Sequence, residues 1–241
     1  MIRPKFHTGV FWLQWIGNLL LILPCFAWLQ IPDSHVWQFA FSIVSAIVLI
    51  VAFLWLYSHT FRSLYKAGTA APVWQRWLVL IIVILVGYLL LQGLGVLRSH
   101  ESLYAGYWNS KLSAGMRTFF TFPRLVSWQD HFYDFLQWLF AALLLPMAFV
   151  GAGLGLHNER WKETGRVYRR IGYWVFALAA AFVGTWLTAL LVGWKPTGKP
   201  AAEIVSVLLR VGMAYTLDII LWVLVLGVVA GYLETPRPDE D

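Results

Sequence analysis

Apolar residues lie in six long runs along the chain, and polar residues separate these runs. The runs cover about 10–31, 36–57, 74–97, 133–156, 171–194 and 211–233. Each is close to the roughly 20 residues that an α-helix needs to cross the ~30 Å hydrocarbon core of a bilayer. The runs do not alternate as barrel strands do, and backbone groups in lipid have to be satisfied internally. The pattern therefore predicts an all-α fold, a polytopic transmembrane helix bundle with six spans.

The composition supports this prediction and limits the domain organisation. Of the 241 residues, 60% are hydrophobic and 12% are charged, whereas about a quarter are charged in a typical soluble domain. Six spans and their connections use the whole length, which predicts a single membrane domain over 1–241. We expect the first run to be a retained span, because the second run follows it almost at once. The single cysteine, Cys25, excludes an intramolecular disulfide and a thiol-rich metal site.

The distribution of Lys and Arg predicts the orientation of the spans. If the N-terminus is cytoplasmic, eleven of these residues fall on the cytoplasmic side and six on the outer side. This bias favours cytoplasmic N- and C-termini. The corresponding localisation is the cytoplasmic (inner) membrane of a bacterial-type cell. Because the basic residues lie between apolar runs, the net charge of +6 suits anionic lipids rather than nucleic acid.

The connection 98–132 is the only long one, and we expect it to be an interfacial, aromatic-rich external loop. It mixes aromatic residues with Lys111, Arg117 and Arg124. Such a mixture is typical of segments that lie on a membrane surface. A lid over a binding site is the alternative. The aromatic residues of the connection are Tyr104, Tyr107, Trp108, Phe119, Phe120, Phe122, Trp128 and Phe132.

Four polar residues are the candidates for a substrate or ion pathway: Asp218, Arg210, Asn18 and Tyr215. An ionisable group inside a span is costly and often functional. Asp218 and Arg210 are eight residues apart and share one side of the sixth span. The alternative is an Asp218 bonded to a neighbouring helix, with Arg210 reaching the headgroups and Asn18 joining helices. The partners expected for Asp218 in that case are Thr185, Thr188, Asn18 and Gln92.

Four basic residues before the fifth span share one helical face and predict a contact with anionic lipids or a cytoplasmic partner. They are Lys162, Arg166, Arg169 and Arg170. Rows of small residues in the last three spans predict close helix packing. We also expect a homo-oligomer or other membrane subunits as partners.

The six histidines do not predict a metal or haem site, since none of their spacings is typical of metal ligands. His7, His59 and His157 are expected at the inner surface, and His35, His100 and His131 at the outer surface. The chain has no Walker A, Gly-rich dinucleotide, HExxH or nucleophile-elbow motif. We therefore predict no catalytic residues, no metal and no cofactor.

Three functions fit this sequence. The first is a transport component, either a small secondary transporter or the membrane subunit of a permease. The second is a non-catalytic accessory or assembly subunit of a membrane complex. The third is a membrane redox or lipid-modifying enzyme that uses its interfacial histidines.

Overall fold

The computed structural model describes residues 6–32, 35–64, 71–155, 161–193 and 200–234. Every regular element among these residues is a helix. The helices are α1 (Thr8–Leu29), α2 (Val36–Leu64), α3 (Val73–Arg98), α4 (Glu101–Lys111), α5 (Ala114–Phe119), α6 (Phe122–Leu154), α7 (Trp161–Tyr168), α8 (Ile171–Gly193) and α9 (Pro200–Glu234). The all-α prediction is therefore confirmed.

Six of the described helices, α1, α2, α3, α6, α8 and α9, are long and apolar enough to cross a membrane. By their length and composition they give the chain the fold of a multi-pass membrane protein. The six predicted spans fall on these six helices. The cytoplasmic placement of both termini stays a prediction.

Two of these helices begin earlier than predicted. α6 begins at Phe122 and α9 at Pro200, eleven residues before the starts expected at 133 and 211. Apolar runs mark only the lipid-compatible part of a helix. The helix itself can begin earlier, at a residue that is favourable in the first turn of a helix. Proline is such a residue. Pro123 and Pro200 occupy such positions.

The connection expected to be a loop is largely helical, which corrects the prediction. It contains α4, α5 and about the first three turns of α6. Most of its large aromatic side chains are exposed, including Tyr107 and Trp108. An aromatic-rich surface is thus present, although helices carry it.

The structure divides into two compact units. Unit 1 comprises Met1–Leu80 and Pro146–Asp241, and unit 2 comprises Ile81–Leu145. The prediction of a single membrane domain stays a prediction. In unit 1 the fully buried side chains include Phe61, Phe149 and Tyr173.

The two helix pairs of unit 1 are antiparallel and depend on small residues for close approach. In the α1–α2 pair, a Cβ at Gly17 would lie 2.6 Å from a methyl carbon of Leu56. In the α8–α9 pair, a Cβ at Gly172 would lie 2.6 Å from the Tyr232 hydroxyl. A larger residue at either position would require the Leu56 or the Tyr232 side chain to move. The close packing predicted from the rows of small residues in the last three spans stays a prediction.

One end of unit 1, which we call the basic end, contains the ends of α2 and α6, the start of α3 and all of α7. α6 ends at Leu154, and the next residue, Gly155, has a φ of +73° in the left-handed region that glycine tolerates. The Gly155 N–H donates to the Gly151 carbonyl (2.9 Å). The Trp161 indole of α7 donates to the Gly155 carbonyl (3.0 Å). These bonds fix α7 against the end of α6.

Candidate functional site

Four polar side chains form a hydrogen-bonded chain between α1 and α2, which we call the Gln14 cluster. The Tyr57 hydroxyl donates to Asn18 Oδ1 (3.0 Å). Asn18 Nδ2 donates to Gln14 Oε1 (3.0 Å), and Gln14 Nε2 donates to Thr60 Oγ1 (2.5 Å). Gln14 and Thr60 are both 0% exposed. Because each bond runs in the same direction along the chain, neighbouring bonds polarise one another.

A second set of polar contacts joins α1 to α9. The Tyr215 hydroxyl donates to the Trp15 carbonyl (2.5 Å), and the Trp15 indole donates to Thr216 Oγ1 (3.1 Å). The Trp15 and Tyr215 rings meet edge to face, with centroids 5.8 Å apart. Of the four predicted pathway residues, Asn18 therefore lies on α1 and Tyr215 contacts α1 from α9.

Asp218 lies instead against α8, and its contacts are sparse. The Thr188 hydroxyl is 3.3 Å from Oδ1 and 3.4 Å from Oδ2. Hydrogen bonds from a hydroxyl to a carboxylate are normally 2.5–2.7 Å. Among the described residues no cation forms an ion pair with Asp218, whose side chain is exposed. Of the four expected partners, Thr188 is the one in contact.

Gly184 creates the space that Asp218 occupies beside α8. A Cβ at this position would lie 3.2 Å from Asp218 Oδ1 and 3.2 Å from a methyl carbon of Leu221. The carboxylate therefore reaches the backbone of α8 at a place where α8 has no side chain. A larger residue here would push the acid away from Thr188.

Arg210 is nearly buried, at 9% exposure, and it contacts the last turns of α8. Its Nη1 donates to the Leu191 carbonyl (3.4 Å) and its Nε to the Ser206 carbonyl (3.1 Å). A cation at the C-terminus of a helix satisfies free carbonyls and is favoured by the helix dipole. Eight residues of helix, about 12 Å, separate Arg210 from Asp218. Arg210 and Asp218 are thus both beside α8, at different points along α9.

A cavity of about 530 Å³ opens next to the Gln14 cluster. It is lined by residues from the start of α1, including His7 and Leu13, and by His59 and Ser63 of α2. Two histidines predicted for the same surface are therefore brought together. Within the described ranges, however, His, Cys, Asp and Glu do not form a group of three that could hold a metal. His157 lies outside the described residues.

The four basic residues before the fifth span do not continue along one helix. Lys162 and Arg166 lie on α7, which ends at Tyr168, and Arg169 and Arg170 lie in the turn before α8. Lys162, Arg169 and Arg170 are exposed, whereas Arg166 is half-buried. Burial raises the pKa of Tyr168 to about 12, so its hydroxyl stays neutral beside these cations. A surface rich in positive charge results, and its lipid or protein partner stays a prediction.

Unit 2 has its own charged cluster, which the sequence did not reveal. Arg98 Nη2 pairs with Asp130 at 2.6 Å, and Nη1 pairs with Asp134 at 3.2 Å. The two carboxylates are one helical turn apart on α6, so one guanidinium reaches both. Arg98 was counted in the sequence only as an external charge. These partly exposed pairs join α3 to α6 within unit 2.

Sequence reasoning also missed most of the Gln14 cluster. Gln14 and Tyr57 fall within the predicted apolar runs, and Thr60 lies three residues beyond the end of the second run. The available signal was a glutamine between Leu13 and Trp15, because a primary amide in hydrocarbon needs partners. The identity of those partners depends on how α1 and α2 pair, which the sequence pattern does not give.

Comparison with known proteins adds no assignment: no family model matches the chain, and neither a curated protein nor a solved structure matches it significantly. The class defined by the fold is that of a multi-pass membrane protein.

Proposed function

We propose that this chain is a transport component of a cytoplasmic (inner) membrane, either a small secondary transporter or the membrane subunit of a permease. The observation that carries the proposal is Asp218, an acid inside a span. Among the described residues its hydrogen-bonding contacts are two long ones with Thr188. Intramembrane acids of this kind often relay protons or bind cations. A loosely bonded carboxylate exchanges a proton or cation more readily than one held by a strong partner.

The polar residues around α9 support the same proposal. Tyr215 precedes Asp218 by three residues and Thr216 by two, and both contact Trp15 of α1. α9 therefore presents an acid to α8 and hydroxyl groups to α1 within one helical turn. In this proposal Asp218 takes up the coupling proton or cation, and Tyr215 and Asn18 line the path beside it. Arg210 holds the end of α8 in place beside this path by donating to the Leu191 carbonyl.

The test is Asp218→Asn in proteoliposomes, with charge movement measured on a supported membrane after addition of pools of candidate solutes. We expect Asp218→Asn to abolish the movement that the wild type shows, at equal abundance and insertion. Glu203→Gln, a change of an acid in the first turn of the same helix, is the matched control and should retain it. Equal charge movement in wild type and Asp218→Asn would refute the role of this acid.

A second function, a non-catalytic accessory or assembly subunit, is favoured by the first half of α9. Its apolar side chains are widely exposed, among them Ile204, Leu208 and Met213, and Asp218 is exposed beyond them. A partner helix with a hydrogen-bond donor would cover both features. Tagged purification in mild detergent tests this function. A partner protein that co-purifies at a constant ratio with both the wild type and Asp218→Asn supports the accessory function. A monomer or homodimer supports autonomous transport.

A further inference from the structure

Arg76 has a buried side chain, and its Nε has no hydrogen-bond acceptor among the described residues. It lies in the first turn of α3 and is 7% exposed. Its Nε is fully buried and has no hydrogen-bond partner, and neither of the ion pairs among the described residues includes it. Arginine remains charged under all ordinary conditions and carries five N–H donors. A buried guanidinium nitrogen without an acceptor is unfavourable, so this position favours a bound anion.

The surroundings of Arg76 also favour an anion. Arg62, near the end of α2, is close enough to repel the Arg76 charge. The start of a helix carries partial positive charge from its free N–H groups. A bound anion would neutralise both cations and satisfy the free donors at once. Without an anion the two like charges would disfavour this arrangement.

The end of α6 and the start of α7 enclose the same region. A Cβ on Gly151 would contact both Val79 of α3 and Trp161 of α7. Arg76 lies one turn before Val79, and Thr164 lies one turn after Trp161. Thr164 is 5% exposed, and its hydroxyl also has no partner. Arg76 and Thr164, two of the buried polar groups without partners, are therefore on the two helices that meet at Gly151.

We propose that Arg76, with Arg62 beside it, binds a phosphate group at the basic end of unit 1, and that this group belongs to an anionic phospholipid headgroup. The planar fork of arginine matches two phosphate oxygens. Trp74 and Trp77 flank Arg76, and tryptophan at the end of a span marks the level of the headgroups. Basic pockets between membrane helices are suited to such lipids. The proposal does not depend on the transport function.

The test is Arg76→Met, which keeps the bulk of the side chain and removes its charge. Thermal unfolding would be measured in nanodiscs of phosphatidylcholine, with and without phosphatidylglycerol. We expect the anionic lipid to raise the Tm of the wild type by roughly 5–10 °C when it is about a hundredfold above its Kd. Arg76→Met should show the same Tm in both lipids. Arg169→Met removes one charge from an exposed position at the same end and should keep most of the shift.

Three results would overturn the proposal. A higher Tm for Arg76→Met than for the wild type in both lipids would mean that the Arg76 charge is destabilising and that no anion binds it. Glu159 lies outside the described residues and could supply the anion instead. If Glu159→Gln and Arg76→Met lower the Tm equally in both lipids, the partner of Arg76 is the Glu159 carboxylate. Inorganic phosphate that raises the wild-type Tm in pure phosphatidylcholine as far as the anionic lipid does would show that the source is soluble.

If Arg76→Met does not fold, two further measurements test the proposal. Native mass spectrometry of the detergent-purified wild type should show a retained anionic phospholipid, and a wild type without one would overturn the proposal. Arg76→Lys keeps the charge and loses the two-oxygen geometry, so its affinity for the lipid should fall roughly tenfold. An unchanged affinity would contradict the role of the guanidinium.

Discussion

The Gln14 cluster and Asp218 are two polar sites in the spans of unit 1, and they differ in how completely their polar atoms are bonded. In the cluster, four side chains bond one another at 2.5–3.0 Å. Asp218 has one neighbouring hydroxyl, at 3.3 and 3.4 Å from its oxygens. The first site stabilises the packing of α1 on α2. The second is a charged group whose contacts do not explain its presence in a span.

This difference follows from the chemistry of the groups. Amides and hydroxyls both donate and accept, so a small set of them can satisfy one another away from water. A carboxylate only accepts, and it requires donors or a cation to offset the loss of hydration. Asp218 has one hydroxyl donor within the described chain. We therefore expect the cluster to determine stability and Asp218 to determine activity.

Gln14→Leu should have the largest effect on stability, a loss of about 1–3 kcal/mol in the free energy of unfolding. Leucine fills a similar volume but removes the amide that donates to the buried Thr60 hydroxyl and accepts from Asn18 Nδ2. Asn18 Nδ2 keeps its bond to the backbone carbonyl of residue 14 (2.8 Å). Unfolding in mixed micelles with increasing denaturing detergent measures the change. Gln92→Leu is the matched control, because Gln92 also lies in an apolar span and its side chain is exposed. Equal losses in both variants would contradict the importance of the cluster.

Tyr57→Phe should have a smaller effect, a loss of about 0.5–1.5 kcal/mol. It removes the hydroxyl that donates to Asn18 Oδ1 and keeps the ring, which lies 4.3 Å from the Phe53 ring. The same unfolding measurement applies. Tyr88→Phe, at a position that is 56% exposed, should leave the free energy of unfolding unchanged. A loss for Tyr57→Phe no larger than that for Tyr88→Phe would mean that the bond to Asn18 contributes nothing.

The sequence predicts the spans well and the helix starts poorly. Six apolar runs locate six helices, because lipid imposes a strict composition on whatever crosses it. α6 and α9 continue beyond their apolar runs, since a helix ends where its backbone bonding ends and not where its hydrophobicity does. Proline in the first turn of each was a local sign of the true start.

The sequence predicted residues of the candidate site only where a single residue is unusual for its position in the sequence. Asp218 and Asn18 are unusual because they are polar within apolar runs. Thr60 and Arg76 are not unusual residue types for their positions in the sequence. Their importance comes from their burial and from their neighbours on other helices. Arg76 was counted as one of eleven cytoplasmic charges. Its burial depends on α2, α6 and α7 meeting at the start of α3, which a one-dimensional pattern does not specify.

Asp218→Leu should have the smallest effect on stability and separates the two sites most sharply. Because the contacts with Thr188 are long and the side chain is exposed, the free energy of unfolding should stay within about 0.5 kcal/mol of the wild type. The unfolding measurement used for Gln14→Leu gives a direct comparison. A loss as large as that of Gln14→Leu would show that a strong partner holds the carboxylate, and that the acid belongs to the structure of the bundle. If Asp218→Leu leaves the stability unchanged and abolishes charge movement, the fold does not need the acid. The acid would then be present in the span because the function requires it.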